Sequence, residues 1–113
     1  MWKGTVEGQA KKTRWTGEVE LVVDGVKCSG FIKWKSDRGH CGTEDFTGSI
    51  HGESLTLNST GTKRDKDKDC KPLAPSDYRG TFTKQGWIRF DWYLKSDSAQ
   101  RGAASGTLEQ VER

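Results

Sequence analysis

Trp15-Thr16-Gly17-Glu18-Val19 is the stretch that decides how the chain is read. It sets a bulky side chain, a bare backbone position and an aliphatic side chain at alternate residues. In an extended strand, residues i, i+2 and i+4 share a face, so these three fall on one side and Thr16 and Glu18 on the other. The pattern returns as Trp2-Lys3-Gly4-Thr5-Val6, Cys28-Ser29-Gly30-Phe31-Ile32, Phe46-Thr47-Gly48-Ser49-Ile50, Tyr78-Arg79-Gly80-Thr81-Phe82 and Ala104-Ser105-Gly106-Thr107-Leu108. Glycine on the apolar face lets a strand bend at a barrel corner, and a neighbouring ring covers the exposed backbone.

Working outward, the motif sits in a strand over 13–23 whose inward set is Trp15, Gly17, Val19, Leu21 and Val23. Asp24-Gly25, a dipeptide favoured by two-residue type I′ turns, leads into a strand over 26–35. That strand carries Cys28, Gly30, Ile32 and Trp34 inward and Phe31 outward. A strand over 2–8 precedes them. After them come a strand over 44–51 around Phe46, Gly48 and Ile50, a Gly52-Glu53 turn, and a strand bearing Leu55 and Leu57. Residues 78–84, a Gln85-Gly86 turn and 87–95 form the next hairpin, in which Ile88, Phe90, Trp92 and Leu94 alternate with Trp87, Arg89, Asp91 and Tyr93. Residues 105–112 make a closing strand.

Between these segments, 60–77 holds a run of alternating Lys and Asp with both prolines, and reads as the longest exposed loop. Residues 96–103 read as a flexible loop of small residues. No useful 3.6-residue apolar period is present, so helix is expected to be minor. About eight strands joined mostly by hairpins point to an all-β, antiparallel up-and-down barrel, because closing the first strand on the last removes exposed edges. A two-sheet sandwich is the alternative. The 113 residues suit a single domain spanning 1–113.

Composition narrows the function classes. Only 31% of residues are hydrophobic, and 5 Trp, 4 Phe and 2 Tyr supply much of the area that can be buried. The net charge of +3 arises from 19 basic and 16 acidic residues that are interspersed, which gives weak fields and no case for nucleic acid. Three cysteines, Cys28, Cys41 and Cys70, cannot all pair within one chain, so a reducing compartment is the simpler expectation. With no signal-like N-terminal run and no apolar window long enough to span a membrane, the expectation is a cytoplasmic protein. A secreted mature chain would read the same way.

The pattern resembles the calycins, the lipocalins and avidins, whose eight-stranded meanders carry similar strands. The closest likeness is to avidins, in Asp91-Trp92-Tyr93-Leu94, the small-residue loop after it, and Gly106-Thr107-Leu108. The resemblance implies a barrel that holds a ligand inside, with Trp92 against that ligand. Leu21 follows Thr16-Gly17 where an avidin has its ligand-binding Asn, so biotin is not the ligand implied.

By parity, Trp2, Trp15, Trp34, Tyr78, Phe82, Phe90 and Trp92 point inward. Filling the interior is their plainer role, since an eight-stranded barrel is just wide enough to be packed by its own side chains. The inward glycines leave room for a ligand instead. On that reading Trp34, Tyr78, Trp92 and Trp15 bind a small apolar or aromatic molecule, the first three standing near strand ends with polar tips to offer. Phe31, Trp87 and Tyr93 point outward beside Lys33, Arg89 and Lys95, and would form a protein-docking patch if they cluster. Asp91 beside them speaks against stacking on nucleic acid.

Chemistry-bearing motifs are sparse. Asp65, Asp67 and Asp69 have the spacing of a calcium loop, but lysines intervene and Cys70 stands where the loop needs Gly. His40, Cys41, His51, Cys28 and Cys70 lack the close cysteine spacing of zinc sites. His40 and Cys41 are adjacent and diverge in an extended chain, as do Glu44 and Asp45, so neither makes a catalytic pair. No glycine-rich phosphate loop occurs, and no cofactor is expected. The expectation is a non-enzymatic binding module with a small ligand inside the barrel; the alternative is an accessory domain that docks a protein through its outer aromatics and charged loop.

Overall fold

The computed structural model describes residues 1–65, 69–97 and 101–111. Eight strands follow one another: β1 (Trp2–Ala10), β2 (Thr13–Asp24), β3 (Lys27–Ser36), β4 (Cys41–His51), β5 (Ser54–Arg64), β6 (Ser76–Phe82), β7 (Trp87–Leu94) and β8 (Arg101–Gln110). Each pairs antiparallel with the next, and β1 pairs with β8, so the sheet closes into an up-and-down barrel. The sandwich is thereby set aside. Closure gives every strand a neighbour on both sides, although β5 pairs with β6 only over Ser54–Asn58.

Alternation decides which face is inside. Val6, Val19, Leu21, Ile32, Phe46, Leu55, Leu57, Tyr78, Phe90 and Leu108 are essentially buried and form one continuous core. Lys3, Glu7, Glu18, Lys33 and Arg89, at the intervening positions, are exposed. A polar exterior around an apolar interior is the reverse of a lipid-facing barrel. No helix is long and apolar enough to cross a membrane.

The recurring glycines lie on the inner face, where the strands pass too closely for a side chain. A Cβ on Gly48 would strike the Thr56 carbonyl, and one on Gly80 the Arg89 carbonyl. On Gly17 it would press on Ile32 and Trp34, with Ile32 Cγ2 at 2.7 Å. Gly30 also takes φ 155°, which few other residues adopt.

The two ends of the barrel differ. One carries the tight β2–β3, β4–β5 and β6–β7 turns and is plugged by Trp2 packed edge-on against Phe82 at 5.0 Å. At β2–β3 the two-residue turn is Gly25-Val26, not Asp24-Gly25, because Asp24 pairs with Lys27. Positive φ is then needed only at Gly25, which has 64°. That is the type II′ pattern with Gly first, so no Asn or Asp is required. The opposite end carries the β1–β2, β3–β4, β5–β6 and β7–β8 connections.

Over that end the expected loop at 60–77 takes a different form. β5 continues to Arg64 through a bulge opposite Asp45/Phe46, and β6 begins at Ser76. Residues 69–75 cross the barrel mouth as a strap. Cys70 is 5% exposed and bonded to Cys41, Leu73 packs on the core, and the Lys71 amide donates to the Gly39 carbonyl at 2.9 Å. The Lys95 amide donates to the Pro75 carbonyl at 3.0 Å, and Lys95 Nζ lies 3.0 Å from Asp77. Of the three cysteines, Cys28 alone is free, and it is buried in the core.

Candidate functional site

The four residues singled out as ligand-binding, Trp15 on β2, Trp34 on β3, Tyr78 on β6 and Trp92 on β7, meet at the strap-covered end. They line one cavity of about 270 Å³ that opens to solvent on one side. The rest of the interior is filled by the core, so the volume is a cup at the mouth and not a tunnel along the axis. Trp34 lies 5.6 Å from Trp92, while Trp15 stands nearly perpendicular to both, at 5.9 Å and 6.4 Å. Edge-to-face packing of this kind holds the rings at fixed angles as walls.

At the floor of the cup lies Glu44, a residue whose inward position follows from sharing strand parity with Phe46, Gly48 and Ile50. It is 2% exposed. Its Oε1 accepts a hydrogen bond from the Tyr78 hydroxyl, and its Oε2 accepts one from the Ser76 backbone N–H at 2.9 Å. The Tyr78 oxygen in turn accepts from the Trp34 indole N–H at 3.3 Å. Two of the cavity rings are thus oriented by a chain of bonds ending on a carboxyl.

Burial pushes the Glu44 carboxyl up to about 7, because a charge there loses its water; Asp77 adds to the rise. The Ser76 amide, the nearby Ser59 hydroxyl and Lys95 act in the opposite direction without overcoming burial. Among the described residues, no Lys, Arg or His forms an ion pair with it.

His40 lies against Trp15, ring centroids 4.9 Å apart. Ser36 Oγ accepts from the Arg38 and His40 amides at 3.2 Å and 3.1 Å, which leaves its own proton for His40 Nδ1 at 2.8 Å. The ring proton then sits on Nε2, a tautomer assigned from the bonding. Burial, and secondarily the charge of Lys71, lower the His40 pKa and favour the neutral ring.

The outward aromatics are not gathered. Phe31 is on β3, and Trp87 and Tyr93 lie at opposite ends of β7, which stands across the barrel from β3. Trp87 is 65% exposed; Phe31 and Tyr93 are half-buried. Among the described residues, Cys41, Asp65 and Cys70 form the one cluster of metal-ligand type, and its sulfurs are joined to each other, which removes the thiolates a metal would need. In the calcium-like run, Asp67 lies outside the described residues. A larger concavity of about 400 Å³ is an outer groove lined by opposing charges, Glu7 and Glu18 against Lys33 and Lys35.

No protein-family model, curated protein or solved structure matches the chain.

Proposed function

We propose that the protein is a calycin-like binding module that captures a small, ring-bearing or apolar molecule in the cup formed by Trp15, Trp34, Tyr78 and Trp92. The observation that carries this reading is convergence: four residues on four different strands, with polar tips and ring faces, line a single opening at one end of a filled barrel. The eight-stranded closed meander is consistent with a calycin-like fold, and Trp92, the residue carried over by the avidin likeness, is one of the side chains lining the cup. A volume of about 270 Å³ falls just under the roughly 300–1,000 Å³ of drug-sized pockets, so the ligand is of one ring with a short chain.

Binding without turnover fits the way Glu44 is held. Both of its oxygens accept fixed hydrogen bonds, which suits a stationary polar anchor better than a proton shuttle. A disulfide tying the strap to the barrel suits an oxidising compartment better than the reducing one that the odd cysteine count suggests.

Three one-ring probes of similar size test the reading: phenethylamine, 2-phenylethanol and phenylacetate. At least one is expected to change tryptophan emission and raise the melting temperature, and Trp92→Ala is expected to abolish the emission response. Silence of all three probes at millimolar concentration in both measurements removes the cavity as a ligand site.

A further inference from the structure

We infer that the ligand is an organic cation, an alkylammonium with a small aromatic or apolar body, and that Glu44 is its counter-charge; this rests on the cup being a ligand site. The starting point is a carboxyl at the base of a cavity, 2% exposed, with no basic side chain paired to it among the described residues. A buried carboxylate without a cation is costly, and proteins ordinarily pair it or keep it protonated. Glu44 lines the cavity, so that is the side from which a partner would reach it. An ionised carboxylate offers about four lone-pair sites; Tyr78 and Ser76 take one each, and the Ser59 hydroxyl stands near enough to take a third.

The walls favour the same ligand. Trp15, Trp34 and Trp92 are set at 57–82° to one another, so their faces bound the cup from different sides. A cation within about 6 Å of an indole face is attracted by the ring quadrupole, and the attraction grows as water is excluded. An anion would meet both the ring faces and the carboxyl unfavourably.

The other charged groups around the carboxyl do not reverse this. His40 is held toward its neutral form. Asp77 is occupied by Lys95. Lys11 and Arg101 line the rim and Lys71 lies on the strap near His40; all three are exposed, where salt screens them over roughly 8–10 Å. The floor is acidic and desolvated, while the rim is basic and wet.

The test compares phenethylamine, 2-phenylethanol and phenylacetate, which carry the same ring and differ in charge, on the disulfide-intact protein. At about pH 8, where Glu44 is ionised and an alkylammonium remains protonated, the amine is expected to bind at least about tenfold more tightly than the alcohol. Phenylacetate is expected to bind most weakly. At about pH 5.5 the carboxyl is protonated and the preference for the amine shrinks. Glu44→Gln, which removes the charge and keeps a side chain of the same shape, is expected to bring the amine's affinity down to that of the alcohol. Equal affinities in the wild-type protein at about pH 8, or a preference for phenylacetate, overturn the cation assignment and leave the ligand site standing. Binding of none of the three removes both. If Glu44→Gln does not fold, the wild-type pH series decides alone: an amine preference that does not shrink at low pH overturns the role given to Glu44.

Discussion

Glu44→Gln is expected to remove a pH dependence from the stability of the barrel. The carboxyl titrates near 4.5 when hydrated and at about 7 in the fold, chiefly because burial takes away its water. The folded state therefore holds the proton more tightly than the unfolded chain between those values. Stability from this group is fully present at low pH and is lost as pH rises through 7. A displacement from 4.5 to about 7, at roughly 1.36 kcal/mol per pH unit, amounts to about 3 kcal/mol. For a domain of this length that is on the order of 10 °C in melting temperature. Urea unfolding of the wild-type and Glu44→Gln proteins across about pH 4 to 9 reads it directly. The difference in unfolding free energy between the two should drift by about 3 kcal/mol in favour of the variant as pH rises. Curves that stay parallel across the range would refute the buried, unpaired carboxyl.

Three further outcomes follow from the fold. Gly48→Ala drives a Cβ into the Thr56 carbonyl and is expected to cost about 2 kcal/mol or more, whereas Gly61→Ala meets nothing within 4 Å and should stay within about 0.5 kcal/mol; chemical denaturation of both checks the inner-glycine account. Reducing the Cys41–Cys70 bond, which spans 29 residues, is expected to remove about 3 to 4 kcal/mol and to expose the strap at 69–75 to proteolysis, seen by melting and limited digestion with and without reductant. Trp87→Ala, at a side chain 65% exposed, should leave melting temperature and probe binding unchanged.

Much of the fold was legible because an antiparallel barrel with a dry inside and a wet outside writes its face assignment into every second residue. Trp15, Trp34, Tyr78 and Trp92 could be placed inward from parity alone. Their proximity at one end depends on register around the closed sheet, which no local pattern carries. Phe31, Trp87 and Tyr93 illustrate the same limit: parity puts them outward, but strand order sets β3 and β7 on opposite sides.

Glu44 was hidden for a different reason. A carboxylate at the head of a strand reads as a polar boundary, although its even spacing from Phe46, Gly48 and Ile50 was the signal that it faces in. The far half of β5 was missed because the polar residues Thr62 and Lys63 read as loop, while pairing with Glu44 and Thr43 of β4 makes them strand. An odd cysteine count concealed a pair brought together only by tertiary structure, Cys41 and Cys70, with Cα atoms 5.2 Å apart.

The five tryptophans offer the most direct test of the central claim, because three line the cup and two do not. In a nitrogen-15 correlation spectrum titrated with phenethylamine, the indole N–H signals of Trp15, Trp34 and Trp92 are expected to move together and saturate. Those of Trp2, in the plug at the far end, and Trp87, on the outer wall, should stay in place. Movement of Trp2 or Trp87 in place of the other three, or no movement at all, would contradict the account.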